Sequence, residues 1–323
     1  ESIGWATAAL GDRAGAAAVF DSVEALAASG LCDAVIVASP NYTHRRVLEP
    51  LFDAGLHILC EKPLATTLDD CRWVVARAAQ SDRVFWTAME YRYMPPAAAF
   101  IEEIKGGAIG RLQMLSIREH RFPFLVKVAD WNRFSRNTGG TMVEKCCHFF
   151  DLMRLITGSE AVRVYCSGAM DVNHVDERYG GETPDIIDNS YTTVDFANGV
   201  RALLDLSMFA DGAENQEEIT AVGDAARLDV LIPEGALVHS PRVGFRNAKQ
   251  VTRRVIEVDQ AALDAGSHHG STFYQHQRFN AAVRGAGPVE VTARDGMMAV
   301  AIGTAAEISA REHRVVEMAE LGF

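Results

Sequence analysis

The sequence predicts an α/β architecture: an incomplete, doubly wound parallel sheet followed by an α+β unit with an open, mainly antiparallel sheet. Three observations carry this. From Val19 to Met89, short apolar runs alternate with amphipathic stretches, the pattern of right-handed βαβ units. Beyond Ala161, strand-like runs succeed one another with turn signals and no helix between them, as in antiparallel sheets. The chain has 323 residues, too many for one average domain and comfortable for two. The boundary is expected near residue 92, giving units of 1–92 and 93–323.

The elements follow in order. Ala18–Phe20 is a short strand candidate, and residues 22–29 read as a helix capped by Ser22. The run 33–40 is apolar until Ser39-Pro40 ends it, as expected of a strand buried on both faces. Residues 43–55 read as a helix stopped by Gly55, 57–60 as a strand, 67–81 as a helix and 83–89 as a strand. A helix over 95–107 and a long strand over 111–122 come next. After a polar loop, one helix is expected from Met142 to Ile156. Strands are then expected at 161–169, 189–196, 200–209, 217–223, 226–232 and 251–258, with turns at Asn198-Gly199 and Gly223-Asp224. Helices over 272–284 and 292–312 close the chain, and the last is expected to pack back on the first unit.

Composition narrows the function. A net charge of −12 argues against nucleic acid or an anionic membrane as partner, since both need basic patches. It leaves a phosphate-bearing ligand open, because backbone donors can hold one inside an acidic protein. The six cysteines (32, 60, 71, 146, 147 and 166) contain no CxxC spacing, so no metal site is expected. Free thiols in a reducing compartment, the cytoplasm, are the expectation. No apolar run is long enough to span a bilayer.

Ligands of open parallel sheets bind beyond the carboxyl ends of the strands, and two motifs sit there. Ser39-Pro40-Asn41 with His44 follows the 33–40 strand, where Asn41 can cap the next helix. Glu61-Lys62-Pro63 follows the 57–60 strand, and Pro63 stiffens the turn that aims Lys62 at the cleft. A third group lies in the second unit: Gly139-Gly140, Glu144, His148 and Asp151. On one helix, Glu144 and His148 share a face, Asp151 joins it, and Lys145 points about 100° away. A carboxylate beside a histidine can set its tautomer.

Taken in order, these motifs, with Arg92-Tyr93-Met94-Pro95 and the closing block 293–310, resemble the Gfo/Idh/MocA oxidoreductases over nearly the whole chain from Val19. The resemblance implies a partial Rossmann domain binding NAD or NADP and a sugar or cyclic polyol substrate. It makes Lys62 the catalytic lysine, with His148 on the reacting hydroxyl or carbonyl and Glu144 helping to bind substrate. It places Ser39, Pro40, Asn41, His44 and Glu61 along the nicotinamide, with Arg92, Trp131 and Arg133 near the cofactor. Asn137 and His269 are added as polar candidates for substrate hydroxyls. This chain departs from the pattern at three points. Glu144 stands where relatives usually carry Asp, Cys146 stands where they commonly have Gly, and no GxGxxG occurs near the start. The chain therefore reads as an N-terminally truncated copy lacking about 30 residues, one βαβ unit.

The expected reaction moves a hydride between nicotinamide and a hydroxyl or carbonyl carbon, with Lys62 or His148 carrying the proton. The scaffold also supports an NAD-dependent glycosidase, which would show no net cofactor turnover, or a non-catalytic sugar-binding fragment. The open sheet around Asn189–Ile232 is expected to make a homodimer or homotetramer.

Overall fold

The computed structural model describes residues 18–265 and 268–323. Ser22 accepts from the Ala25 N–H at 3.1 Å and caps helix α1 (Val23–Ala28). Strands β1 (Ala34–Val37), β2 (His57–Cys60) and β3 (Phe85–Thr87) form a parallel sheet in that order. Helices α2 (His44–Asp53) and α3 (Leu68–Ala79) connect them. Thr67 caps α3 by accepting from the Asp70 N–H. Leu48, Leu51, Ile58, Leu64 and Val74 fill the core of this layer. The strand expected at 18–20 does not form: Val19 is 65 % exposed, and no neighbouring strand pairs with the segment among the described residues.

The second unit opens with α4 (Pro95–Lys105) and β4 (Leu112–His120). Short helices α5 (Ser135–Thr138) and α6 (Thr141–Glu144) precede α7 (Cys147–Thr157). The sheet continues with β5 (Ala161–Ala169), β6 (Asn189–Phe196), β7 (Arg201–Ser207), β8 (Glu217–Gly223) and β9 (Ala226–Ile232). It ends with β10 (Ala236–Pro241), β11 (Thr252–Val255) and β12 (Val316–Glu317). The nine strands run in the order β11-β10-β9-β8-β4-β7-β6-β5-β12. Every pair is antiparallel except β4 with β7. Side chains alternate along β6 and β9, so one face is buried and the other open. The sequence reading lacked β10, which follows a proline-glycine turn, and β12, which is too short to show a period.

Two helices, α8 (Gln260–Asp264) and α9 (Ser271–Val283), lead to α10 (Ala293–Glu312). Helix α10 packs against both units, touching α3 and β3 on one side and β5, α6 and α7 on the other. Its N-terminus is closed by a reciprocal box between Thr292 and Asp295. Close approach depends on two glycines. A Cβ on Gly296 would lie 2.7 Å from Thr87 Cγ2, and one on Gly303 would lie 2.6 Å from the Met142 carbonyl oxygen.

The single helix expected over 142–156 is broken. The helical hydrogen-bond ladder is interrupted at Lys145–Cys146, between α6 and α7, where the Cys146 N–H reaches back five residues to the Thr141 carbonyl. Helical periodicity cannot reveal such a break here, because residues 140–153 are buried on every side.

Alanine ordinarily stabilises a helix interior relative to glycine by about 1 kcal/mol. At Gly303 the main chain of Met142 is too close to yield, so Gly303→Ala should instead destabilise the protein by about 1–3 kcal/mol. Urea unfolding would check this, and an increase in stability would contradict the packing described.

Candidate active site

The site is built where the carboxyl ends of β1 and β2 face the α6–α7 break. Lys62 follows β2 and is joined to Pro63 by a cis peptide bond. Its Nζ donates to the Glu144 main-chain carbonyl at 3.0 Å. That carbonyl ends α6, and it also accepts from Cys147 Sγ. The break thus presents an acceptor to the first unit's lysine. The amine lies close enough to bear electrostatically on both the Glu144 carboxyl and the His148 ring.

Glu144, His148 and Glu61 all have altered proton affinities here. Glu144 is buried, and burial pushes its carboxyl up to about 7 against the pull of Lys62, Lys127 and Arg133. Burial also holds His148 well below the ordinary histidine range, and Lys62, Lys145, His268 and Arg121 add to the effect. The imidazole is therefore neutral at pH 7. Its ring lies flat on Tyr91, centroids 4.0 Å apart and planes within 7°. Glu61 accepts from the Lys62 N–H at 3.3 Å. Burial, with Glu90 nearby, raises its carboxyl to about 7.

The remaining sequence candidates divide into those that face the cleft and those that build it. Ser39 and Pro40 accept from the Thr43 hydroxyl, which shapes the turn after β1. Asn41 does not cap α2. It begins a 3₁₀ turn, is buried, and leaves its Nδ2 without a partner. His44 is fully buried. Its Nε2 faces the Ser39 carbonyl at 3.0 Å and its Nδ1 the Pro63 carbonyl at 3.0 Å. It staples the two strand-end loops together and presents no free ring nitrogen. Trp131 packs edge-on against Tyr42, 6.1 Å between centroids, so the 128–133 turn seals against the loop after β1.

Several candidates are held by other parts of the chain. Arg92 makes paired 2.5 Å hydrogen bonds to Asp151 and a third to the Glu290 carbonyl. Its Nε, Nη1 and Nη2 are thus each engaged with other parts of the chain. Asp151, expected on the face of Glu144, is the buried partner in that pair. Arg133 donates to Glu177 Oε2 at 3.0 Å, though its Nη1 stays buried and unpartnered. Asn137 Nδ2 donates to the Trp131 carbonyl at 2.9 Å and braces the turn. His269 is half-buried, whereas its neighbour His268 reaches the site and pairs with Glu90 at 3.0 Å. Thr272 donates to the other Glu90 oxygen. Burial pushes Glu90 up, but these hydrogen bonds more than offset it, and the carboxyl stays below the ordinary range. No fixed spacing ties Glu90 or His268 to Lys62, so the sequence assigns neither a role.

The glycine pair before Glu144 has a packing cause. Gly139 and Gly140 have φ of +82° and +91°. A Cβ on Gly140 would lie 2.2 Å from a Glu307 carboxylate oxygen. Glu307 accepts from the Met142 N–H at 2.9 Å and so satisfies a first-turn donor of α6.

Asn41 Nδ2 and Glu144 Oε2 are among the buried polar atoms that have no partner. Such atoms are costly unless a ligand meets them. Their placement at the ends of parallel strands and on the facing break fits the nicotinamide half of a dinucleotide.

A two-unit chain with a strand-end lysine and a facing carboxylate–histidine pair defines a nucleotide-dependent oxidoreductase. Residues 6–89 match the oxidoreductase family's NAD-binding Rossmann fold, and residues 101–318 match that family's C-terminal alpha/beta domain. The chain belongs to this Gfo/Idh/MocA family. It is 27% identical over 300 residues to myo-inositol 2-dehydrogenase of Thermotoga maritima, covering 90% of this chain and 80% of that protein. It is 27% identical over 303 residues to 1,5-anhydro-D-fructose reductase of Ensifer adhaerens, covering 92% and 83%. The fold is also that of a levoglucosan dehydrogenase solved with NADH and levoglucosan: TM-score 0.80, 20% identity, covering 97% of this chain and 87% of that one.

The raised Glu144 carboxyl has a consequence for stability. Its value in the fold is about 7 against an ordinary 4.5. Between those values the folded chain keeps a proton that the unfolded chain has released. This contribution is therefore complete below about pH 4.5 and fades as pH rises through about 7. Glu144→Gln cannot titrate. Its stability relative to the parent should thus improve between pH 5 and pH 8 in denaturant titrations, and a pH-independent difference would contradict the burial of this carboxyl.

Proposed function

We propose that this protein is an NAD- or NADP-dependent dehydrogenase or reductase moving a hydride between nicotinamide and a hydroxyl-bearing or carbonyl carbon of a sugar or cyclic polyol. The observation that carries the reading is the Lys62 amine bound to the α6–α7 break beside the buried, unpartnered Glu144 carboxyl and the neutral His148 ring. The activities of relatives on inositol and anhydrosugars support the substrate class.

Nicotinamide, when bound, supplies the two-electron acceptor or donor. The protein's part is to hold substrate and move a proton. Ser39, Pro40, Asn41 and Glu61 border the nicotinamide edge, while His44 and Trp131 keep those loops in place. Glu144 Oε2 is free to accept from a substrate hydroxyl. Lys62, or His148 acting with it, takes the proton of the reacting hydroxyl in oxidation and returns it in reduction. A neutral imidazole can accept that proton, which a charged one could not. We take residue 92 as the boundary between the nucleotide unit (1–92) and the substrate unit (93–323). The free cysteines favour the reducing cytoplasm.

Lys62→Met should lower kcat by roughly 100-fold or more. This would be read from reduced-nicotinamide absorbance on a polyol and aldose panel. Retained turnover would remove Lys62 from the chemistry. Sugar cleavage without net cofactor turnover would favour the glycosidase reading.

The open face of the large sheet exposes Tyr165 and Tyr191 and carries an apolar depression lined by Met114, Leu203 and Val222. We assign it to a homodimer or homotetramer contact. Light scattering should give a multiple of the protomer mass, and a stable monomer would rule this out.

A further inference from the structure

Behind His148 lies a group of buried charges that the reaction above does not use. Lys145 Nζ donates to Glu119 Oε1 at 2.8 Å and to the Tyr91 hydroxyl at 2.6 Å. Glu119 stands directly opposite Glu217 in the β4–β8 register. Gln216 Nε2 donates to Glu217 at 2.8 Å and to Glu119 at 3.4 Å, and Arg121 lies 3.6 Å from Glu119. Glu119, Glu217, Lys145 and Tyr91 are all buried. Two facing carboxyls in a dry interior resist double ionisation. Burial, with Glu119 beside it, pushes Glu217 up to about 8. An apolar core would fill the same space at no electrostatic cost, so the cluster points to a role.

Tyr91 is where the cluster meets the active site. One face of its ring lies on His148 at 4.0 Å, Phe149 meets it edge-on at 5.6 Å, and His268 tilts against it at 5.4 Å. The Lys145 ammonium is 4.8 Å from the ring centroid. His148 Nδ1 is buried without a partner. Histidines that work in catalysis are commonly oriented by a hydrogen bond at the second nitrogen. Here that nitrogen has none, and the stack on Tyr91 is what remains to fix the ring.

We propose that Lys145 and Tyr91 are positioning residues for His148: Lys145, anchored on Glu119, pins the Tyr91 hydroxyl, and the pinned phenol holds the imidazole plane in a single orientation. This rests on the reading of His148 as a substrate contact. It also gives a reason for the helix break, which lets Lys145 turn inward while Glu144 and His148 stay beside Lys62.

Three variants test it in the full-length protein with bound NAD. Tyr91→Phe keeps the stack and loses the pin. Tyr91→Leu loses both. The pair Lys145→Met with Glu119→Gln removes the anchoring charges together and avoids leaving one buried alone. Proton NMR of the histidine rings, with His148 assigned by its disappearance in His148→Ala, reads the stack through its upfield ring-current shift. That shift should fall by at least half in Tyr91→Leu and in the charge-pair variant, and the signal should broaden in Tyr91→Phe. With myo-inositol as the first substrate probe, kcat should fall tenfold or more in the charge-pair variant and about threefold in Tyr91→Phe, with KM and cofactor stoichiometry within twofold. In a His148→Ala background the same changes should cost less than twofold. An unmoved His148 signal in Tyr91→Leu, or undiminished losses without His148, would overturn the assignment. Tyr91→Phe removes one atom and decides the matter if the other variants fail to fold: an unchanged His148 line width overturns it. Full turnover by His148→Ala would instead defeat the functional reading and leave the ring-current result standing.

Discussion

The arrangement depends on one hydrogen bond, from the Lys62 amine to the main-chain carbonyl of Glu144. An unbroken helix would commit that carbonyl to the amide four residues on. Interrupting the helix at Lys145–Cys146 makes it available to a donor from another part of the chain. The strand-end lysine is thereby held against the second unit, with the Glu144 carboxyl and His148 ring on either side of the same turn. The interruption also sets the direction of Lys145, which points into the sheet at Glu119.

Much of this was legible in the sequence, and the failures have physical causes. Strands β6, β8 and β9 fall where alternating apolar residues place them, because each has one dry face and one wet face. The strand-end motifs are legible because proline and glycine constrain the backbone locally. The fates of Arg92, Arg133 and Lys145 are not, since each is decided by a carboxylate from a distant segment: Asp151, Glu177 and Glu119 respectively. A basic residue looks alike on paper whether it faces a ligand or a buried acid. The choice between His268 and His269 turns on a backbone path, with φ near +55° at both, that carries no sequence period.

Helix α10 gives the two units a common core. Its glycines admit the main chain of Met142 and the side chain of Thr87 at distances that any side chain would forbid. Its Glu307 completes the first turn of α6. Glu144 therefore stands on a short helix whose first-turn donor is met from the far end of the chain. Burial raises Glu61, Glu144 and Glu307 alike to about 7. The molecule thus keeps several carboxyls poised near neutrality where most proteins keep them ionised.

Strand β4 lies between β7 and β8, both made from residues that come some 80 to 110 positions later (β4 ends at His120; β7 begins at Arg201 and β8 ends at Gly223). Neither of its edges can be satisfied locally as the chain leaves the ribosome. The middle of the sheet must wait, with both rows of backbone amides open, until β8 has emerged, and the outer strand β12 waits almost to the last residue. Such long-range closure is slow. The centre of the large sheet therefore closes only after about a hundred further residues have been made, and its edge strand β12 closes later still.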